Sequence, residues 1–260
     1  MTVVRAKKHL GQHFLTDKNT AKRIVGALQP DGRFDKVLEV GPGMGILSDF
    51  LVEDQRFESW LIDLDLESVD FLKSKYPTLD QRLIHGDFLS FDFAAIFPRE
   101  FAIIGNFPYN ISSQILFKVL DYRHQVLEVV GMFQKEVAER CAAQPGGKDY
   151  GILSVLLQAY YHIEYLFTVK AGAFNPPPKV LSGVIRLERN EVDYLPCNED
   201  LFRKVVKAGF NQRRKTLRNA LSVIVNKERM PLHPFLDLRA ERLSVGDFIT
   251  LTNEIEKSLK

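Results

Sequence analysis

Five short apolar runs recur through the first half of the chain: Val37 to Val40, Ser59 to Ile62, Arg82 to His85, Phe101 to Ile104 and Leu127 to Phe133. Their length and their Val, Ile and Phe content read as buried strands. Stretches of helical periodicity lie before and between them, from Asp17 to about Leu28, Ile46 to Glu53, Leu66 to Lys75 and Ser112 to Leu120, with Lys135 to Ala142 after the last. Strands joined through helices must run parallel, in a sheet covered on both faces. Such sheets bind ligands beyond the carboxyl ends of their strands. The residues that follow each run are therefore the ones that carry functional information.

After the first run comes Glu39-Val40-Gly41-Pro42-Gly43-Met44-Gly45. Glycines at a strand-to-helix turn let backbone approach a ligand and accept a left-handed conformation. The spacing is not G-x-G-x-x-G, which argues against a dinucleotide. Asp63 ends the second run, where an acid suits two ribose hydroxyls. Asp87 ends the third, where it could accept from an adenine amine with Phe88 against the ring. For either acid alone a loop cap is the commoner use. The three strand ends in order describe a site for a nucleoside without a phosphate cradle, which fits S-adenosylmethionine better than a nicotinamide dinucleotide.

The fourth run leads into Gly105-Asn106-Phe107-Pro108-Tyr109. Asn106 supplies a neutral amide, the Pro108 backbone a carbonyl on a stiffened chain, and Tyr109 a flat ring. An aromatic amine could give its protons to the Asn106 oxygen and the carbonyl at Pro108 while its ring stacks on Tyr109. Acceptors out of the ring plane would return the nitrogen lone pair from the ring to the nitrogen. In isolation these residues would more commonly be an Asn-Pro turn with a core tyrosine.

Beyond Gln134 come a loop from Gln144 to Gly151 that reads as mobile, an apolar helix from Leu153 to Tyr161, and two further strands, Ile163 to Lys170 and Val184 to Arg189. The pattern after Glu191 is helical only. We therefore expect one α/β domain over residues 1–190 and a small helical domain over residues 191–260. The second carries 13 Lys/Arg against 10 Asp/Glu, although the whole chain is only +2. Arg203 to Arg218 holds seven basic residues and no acid, and Arg213, Arg214 and Lys215 are candidates for phosphate contact at a helix start. Phe174, in a proline-rich loop, could stack on an extruded base opposite Tyr109; a hydrophobic plug is the commoner fate.

Cys141 and Cys197 are far apart without CxxC spacing, which excludes a disulfide framework and fits a reducing compartment. His9, His85, His124, His162 and His233 show no metal-ligand spacing, so no metal is expected. No apolar stretch approaches membrane-spanning length, and Met1 to Leu10 has no apolar core of a secretory signal. A cytoplasmic location is expected, and the lack of an apolar surface stripe argues for a monomer.

Taken together, Gly11 to Leu15, Glu39 to Gly43, Asn106 to Ser112, Phe174 to Val180 and Phe210 to Leu221 stand in an order that resembles the ribosomal RNA adenine N6,N6-dimethyltransferases, from about Lys8 to Phe248. The resemblance implies a Rossmann-like class I methyltransferase domain with a seven-stranded, mostly parallel sheet, plus a small all-α C-terminal domain. It implies S-adenosylmethionine as methyl donor, contacted by His13, Leu15, Gly41, Asp63, Asp87 and Asn106. It also implies two adjacent adenosines near the 3′ end of small-subunit ribosomal RNA as the target, each methylated twice, on free RNA or in a pre-30S particle. The sequence departs from the family at Phe107, where leucine is frequent, and at Leu181, where an acid is usual. The bulk of Phe107 bears on whether one methyl or two is added. Rival expectations are a resistance-type methylase of large-subunit RNA, a DNA adenine methyltransferase, and a catalytically silent assembly or transcription factor of the same fold.

Overall fold

A computed structural model describes residues 4, 6–7 and 10–260 of the chain. Of the basic N-terminal stretch, Arg5, Lys8 and His9 lie outside the described residues. The elements are β1 (Phe14–Leu15), α1 (Lys18–Gly26), β2 (Lys36–Val40), α2 (Ser48–Glu53), β3 (Glu58–Asp63), α3 (Leu66–Lys75), β4 (Leu83–His85), β5 (Phe101–Asn106), α4 (Ser112–Asp121), β6 (Val126–Gln134), α5 (Lys135–Ala142), α6 (Ile152–Gln158), β7 (Tyr161–Val169), β8 (Phe174–Asn175), β9 (Ser182–Arg189), α7 (Glu199–Asn211), α8 (Leu217–Ala220) and α9 (Val245–Leu259).

Seven strands form one sheet in the order β4-β3-β2-β5-β6-β9-β7. The four pairings among β4, β3, β2, β5 and β6 are parallel, and β9 lies antiparallel to β6. The order reverses direction at β2–β5, because β3 and β4 were laid down on one side of β2 and β5 on the other. That switch opens a crevice at the carboxyl ends of these strands. β1 and β8, which the sequence does not announce, pair antiparallel as a separate two-stranded ribbon.

Apolar burial explains the layering. Asp17 caps α1 by accepting from the Asn19 N–H, and Ala21, Ile24, Val25 and Leu28 turn one face of that segment onto Val37, Ala102, Ile104 and Val130 of the sheet. An aromatic cluster supports the neighbouring strand: the Phe97 and Phe101 rings stack at 4.3 Å, and Phe93 meets Tyr122 edge-on at 4.7 Å. Among the described residues no helix is long and apolar enough to cross a membrane.

The chain divides into two compact units, Met1–Ala138 with Ile163–Arg189 and Glu139–His162 with Asn190–Lys260. Residues 139–162 thus join the C-terminal helices, whereas an uninterrupted division at 190/191 would leave them with the sheet. The reason is local bonding within the second unit. Arg213 donates to the carbonyls of Lys148 (2.6 Å) and Tyr150 (2.9 Å), Gly146 N–H donates to the Glu241 carbonyl (2.7 Å), and the Tyr150 ring meets Phe210 at 5.9 Å. The loop expected to be mobile is therefore tied down at several points.

A charge-assisted bond to a carbonyl contributes more than a neutral one. Arg213→Met is expected to destabilise the protein by about 1–2 kcal/mol, read as a lower denaturant midpoint; an unchanged midpoint would show that the clamp contributes nothing.

Candidate active site

A cavity of about 300 Å³ opens at the carboxyl ends of the central strands. It is lined by Leu10 to Phe14, the glycine turn, Asp63, Asp87, Phe88 and the segment from Asn106 to Ile111. All of these groups belong to the first unit.

The glycine turn follows β2. Gly41, Gly43 and Gly45 have φ of 66°, 56° and 75°, which L side chains adopt only under strain. Gly43 also sits beneath the Phe14 ring, where a Cβ would fall 2.7 Å from Cε1. Its N–H donates to Asp63 Oδ2 at 3.0 Å, and the Asp65 N–H donates to Oδ1 at 2.8 Å. Asp63 thus links the turn to the end of β3. Burial raises its pKa, opposed by these two N–H donors. Each carboxylate oxygen retains a lone pair for a hydroxyl. Behind it, buried Glu39 holds Ser48 Oγ at 2.6 Å, and burial pushes its pKa up to about 8. Asp87 is exposed at the opposite wall, and its Oδ1 accepts from the Leu89 N–H at 2.9 Å.

Asn106 ends β5. Its Nδ2 donates to the His13 carbonyl at 2.8 Å. A carbonyl can only accept, so this bond fixes the amide orientation. The nitrogen is committed to His13, and Oδ1 is left as an acceptor at the cavity. His13 in turn has Nδ1 2.9 Å from the Pro176 carbonyl and its ring centroid 5.6 Å from that of Tyr109. Tyr109 is half-buried, its hydroxyl lies 2.6 Å from Ser182 Oγ, and burial raises its pKa.

Several expected contacts fall elsewhere. The Pro108 carbonyl caps the short turn Tyr109–Ile111, accepting from the Ile111 N–H and Ser112 Oγ at 3.3 Å each. The carbonyl just before the proline ring, that of Phe107, has no partner among the described residues. Leu15 pairs directly with Phe174. Opposed residues of an antiparallel pair point to the same side, and both side chains enter the core beside α1. Leu15 therefore does not line the cavity; Phe14, on the other side of the ribbon, does. Phe174, at 4% exposure, offers no face to a base and is the plug. Phe107 is also turned inward: its ring stacks on Phe133 at 4.8 Å, in space left by Gly105 and Gly131. Its ring is thus packed at 1% exposure, while Phe107 stays among the residues that line the cavity. The cations Arg213 to Lys215 lie between α7 and α8 rather than on a helix start. Arg213 is engaged as described above, while Arg214 and Lys215 are exposed.

The sequence reading missed Gln12, Phe14, Ser182 and Lys7 as parts of the site's framework. Lys7 Nζ meets Asp65 Oδ1 at 2.6 Å, and Gln12 Nε2 meets Oδ2 at 3.4 Å. Long-range partners of this kind leave no local signal.

An open parallel sheet whose crevice brings an acid-braced glycine turn against an oriented amide and an aromatic ring is the frame of an α/β methyltransferase. Comparison with known proteins narrows the class. The model of the family described as ribosomal RNA adenine dimethylase matches residues 3–257, and the chain belongs to that family. Ribosomal RNA small subunit methyltransferase A of Cytophaga hutchinsonii is 60% identical over 254 residues, covering 97% of this chain and 98% of the relative. The protein of that name from Flavobacterium johnsoniae is 52% identical over 98% of both chains. Among solved structures, a dimethyladenosine transferase from Plasmodium falciparum superposes with TM-score 0.78 at 26% identity, covering 95% of this chain and 98% of the other. The 23S rRNA methyltransferase ErmE shares the fold with TM-score 0.67 at 24% identity, over 94% and 99% of the two chains.

Packing of Phe107 against two glycines places the turn that carries Asn106 and Tyr109. A Cβ on Gly131 would lie within contact of the Phe107 ring and 2.6 Å from Phe133 Cε2. Gly131→Ala is expected to destabilise the fold by about 1–3 kcal/mol through overpacking and to slow methyl transfer. Pairing it with Phe107→Leu removes the ring atoms of residue 107 from the clash but leaves Phe133 Cε2 in place, so it is expected to recover part of both losses. A double variant no better than Gly131→Ala in melting temperature would contradict this packing account.

Proposed function

We propose that the chain transfers methyl groups from S-adenosylmethionine to N6 of two adjacent adenosines near the 3′ end of small-subunit ribosomal RNA, giving N6,N6-dimethyladenosine. The observation that carries the chemistry is the orientation of Asn106, whose nitrogen is bound to the His13 carbonyl and whose oxygen is thereby left to accept. Support for the small-subunit target is the 60% identity, over 97% of this chain, to a protein named ribosomal RNA small subunit methyltransferase A.

The residues present fit the cofactor. Asp63 keeps lone pairs for ribose hydroxyls, Asp87 stands where an adenine amine would need an acceptor, and the turn at Gly41 and Gly43 carries no side chain in the cavity. His13 and Phe14 close the wall. Bound S-adenosylmethionine supplies an electrophilic sulfonium methyl, so the protein's task is alignment. Asn106 Oδ1 accepts one proton of the target amine. The second acceptor in this reading is the Phe107 carbonyl, since that of Pro108 is spent within the turn. Two acceptors out of the base plane favour a pyramidal nitrogen and localise its lone pair. The Tyr109 ring supports the base on the face away from His13. The alkylated nitrogen is acidic and releases its proton to water, so no strong base is required.

Exposed Arg214 and Lys215 serve the RNA backbone in this reading, and the helical unit is the RNA-binding domain. The reading takes the protein to act as a monomer. It places the protein in the cytoplasm, where ribosomal subunits are assembled.

Asn106→Ala is expected to abolish formation of labelled dimethyladenosine on unmethylated small subunits, while calorimetric cofactor binding and RNA binding persist. Transfer at the parent rate would remove Asn106 from the mechanism. Replacing Arg214 and Lys215 together by alanine is expected to lower the slope of log affinity against log salt by about 1–2, as loss of up to two phosphate contacts requires. An unaltered slope would relocate the RNA surface.

A further inference from the structure

Tyr109 is the first residue of a three-residue turn, too short to hold a side chain by helical packing. Its backbone is held, since the one hydroxyl proton of Ser112 is shared between the Tyr109 carbonyl at 3.1 Å and the Pro108 carbonyl at 3.3 Å. The ring needs a separate restraint. On one side stands the His13 imidazole, tilted 30° with centroids 5.6 Å apart. At its far end the hydroxyl meets Ser182 Oγ at 2.6 Å. Ser182 is fully buried. It is the first residue of β9, paired with Gln134 at the end of the β6 ladder, and the preceding carbonyl, of Leu181, accepts from the Lys135 N–H at 2.9 Å. The serine is thus held by the sheet itself, while the tyrosine reaches out from a loop.

We propose that Ser182 is a positioning residue for methyl transfer, holding the Tyr109 ring as a fixed shelf on which the target base lies. The proposal rests on the reading of Tyr109 as the stacking ring. The hydrogen bond fixes the swing of the ring about the Cα–Cβ bond; rotation of the ring plane about Cβ–Cγ leaves the hydroxyl in place and is limited by the neighbouring His13 imidazole. A base stacked on a swinging ring would present its amine to Asn106 over a range of angles, and transfer is steeply sensitive to such misplacement. Without the serine hydroxyl, the phenol oxygen would also lose its partner in a half-buried setting and be drawn toward water. Ser182 is not among the residues that line the cavity and reaches it through Tyr109, so its contribution belongs to the base and not to the methyl donor.

The test is a double-mutant cycle in the full-length protein. Ser182→Ala, Tyr109→Phe and the double variant are compared with the parent in single-turnover methylation of unmethylated small subunits at saturating S-adenosylmethionine, with cofactor affinity measured by calorimetry. Each single variant is expected to slow transfer about tenfold, the rate equivalent of one hydrogen bond. Cofactor affinity is expected to stay within about twofold, and the double variant to be no slower than either single one. Tyr109→Phe tests the same bond from the loop side and leaves the buried sheet untouched, so a poorly folded Ser182→Ala would not close the question. Parent-rate transfer by Tyr109→Phe, or a double variant slowed by the product of the two single effects, would overturn the proposal. Tyr109→Ala separates the two levels. If it is inactive while Ser182→Ala is fully active, only the positioning role fails; if it transfers at the parent rate, the stacking reading itself is wrong.

Discussion

The bond from the Asn106 amide to the His13 carbonyl joins two parts of the chain 93 residues apart. On one side is the turn after β5, carried by the sheet. On the other is an N-terminal segment in which the first regular element among the described residues is the two-residue strand β1. The segment becomes a wall only because it is fastened elsewhere: Lys7 and Gln12 to Asp65, His13 to Pro176, and β1 to β8. Asp65 follows Asp63 by two residues and donates its own N–H to it. The acid expected at the ribose, the wall of the cavity and the amide expected at the reacting nitrogen are therefore parts of one bonded chain of groups. Orientation of the Asn106 amide and closure of the cavity wall come from the same contacts.

This arrangement explains how a site can be electrophile-ready with little acid–base equipment. The groups at the centre are neutral: an amide, backbone carbonyls and a phenol whose pKa is raised by burial. The charged groups near the cavity, Asp63 and Asp65, serve as anchors for N–H and ammonium donors. Fixed neutral dipoles stabilise developing charge without the reorganisation that solvent would need.

Sequence periodicity was enough to read the seven sheet strands, the helices between them and the loop that carries Asn106, because buried parallel strands are continuous apolar runs and the chemistry sits at their ends. It was not enough for β1 and β8, two residues each, whose pairing is purely long-range. The fates of Leu15 and Phe174 follow from that pairing and were illegible for the same reason. The direction of the Phe107 ring was illegible because it depends on Gly131, 24 residues away on the next strand. Arg213 looked like its neighbours in a run of cations, yet only a fold that brings Lys148 and Tyr150 beside it separates a clamp from a phosphate ligand.

The space behind Phe107 has an evolutionary reading. An aromatic residue at 107 and the missing side chain at 131 occupy one volume, so neither can drift alone. A lineage that exchanged the ring for an aliphatic residue would need only Phe133 to shift before the adjoining strand could gain a methyl, and one that gained the methyl first would lose its grip on the turn. Across related sequences the two positions should change hands together, and that joint history would be visible with no assay at all.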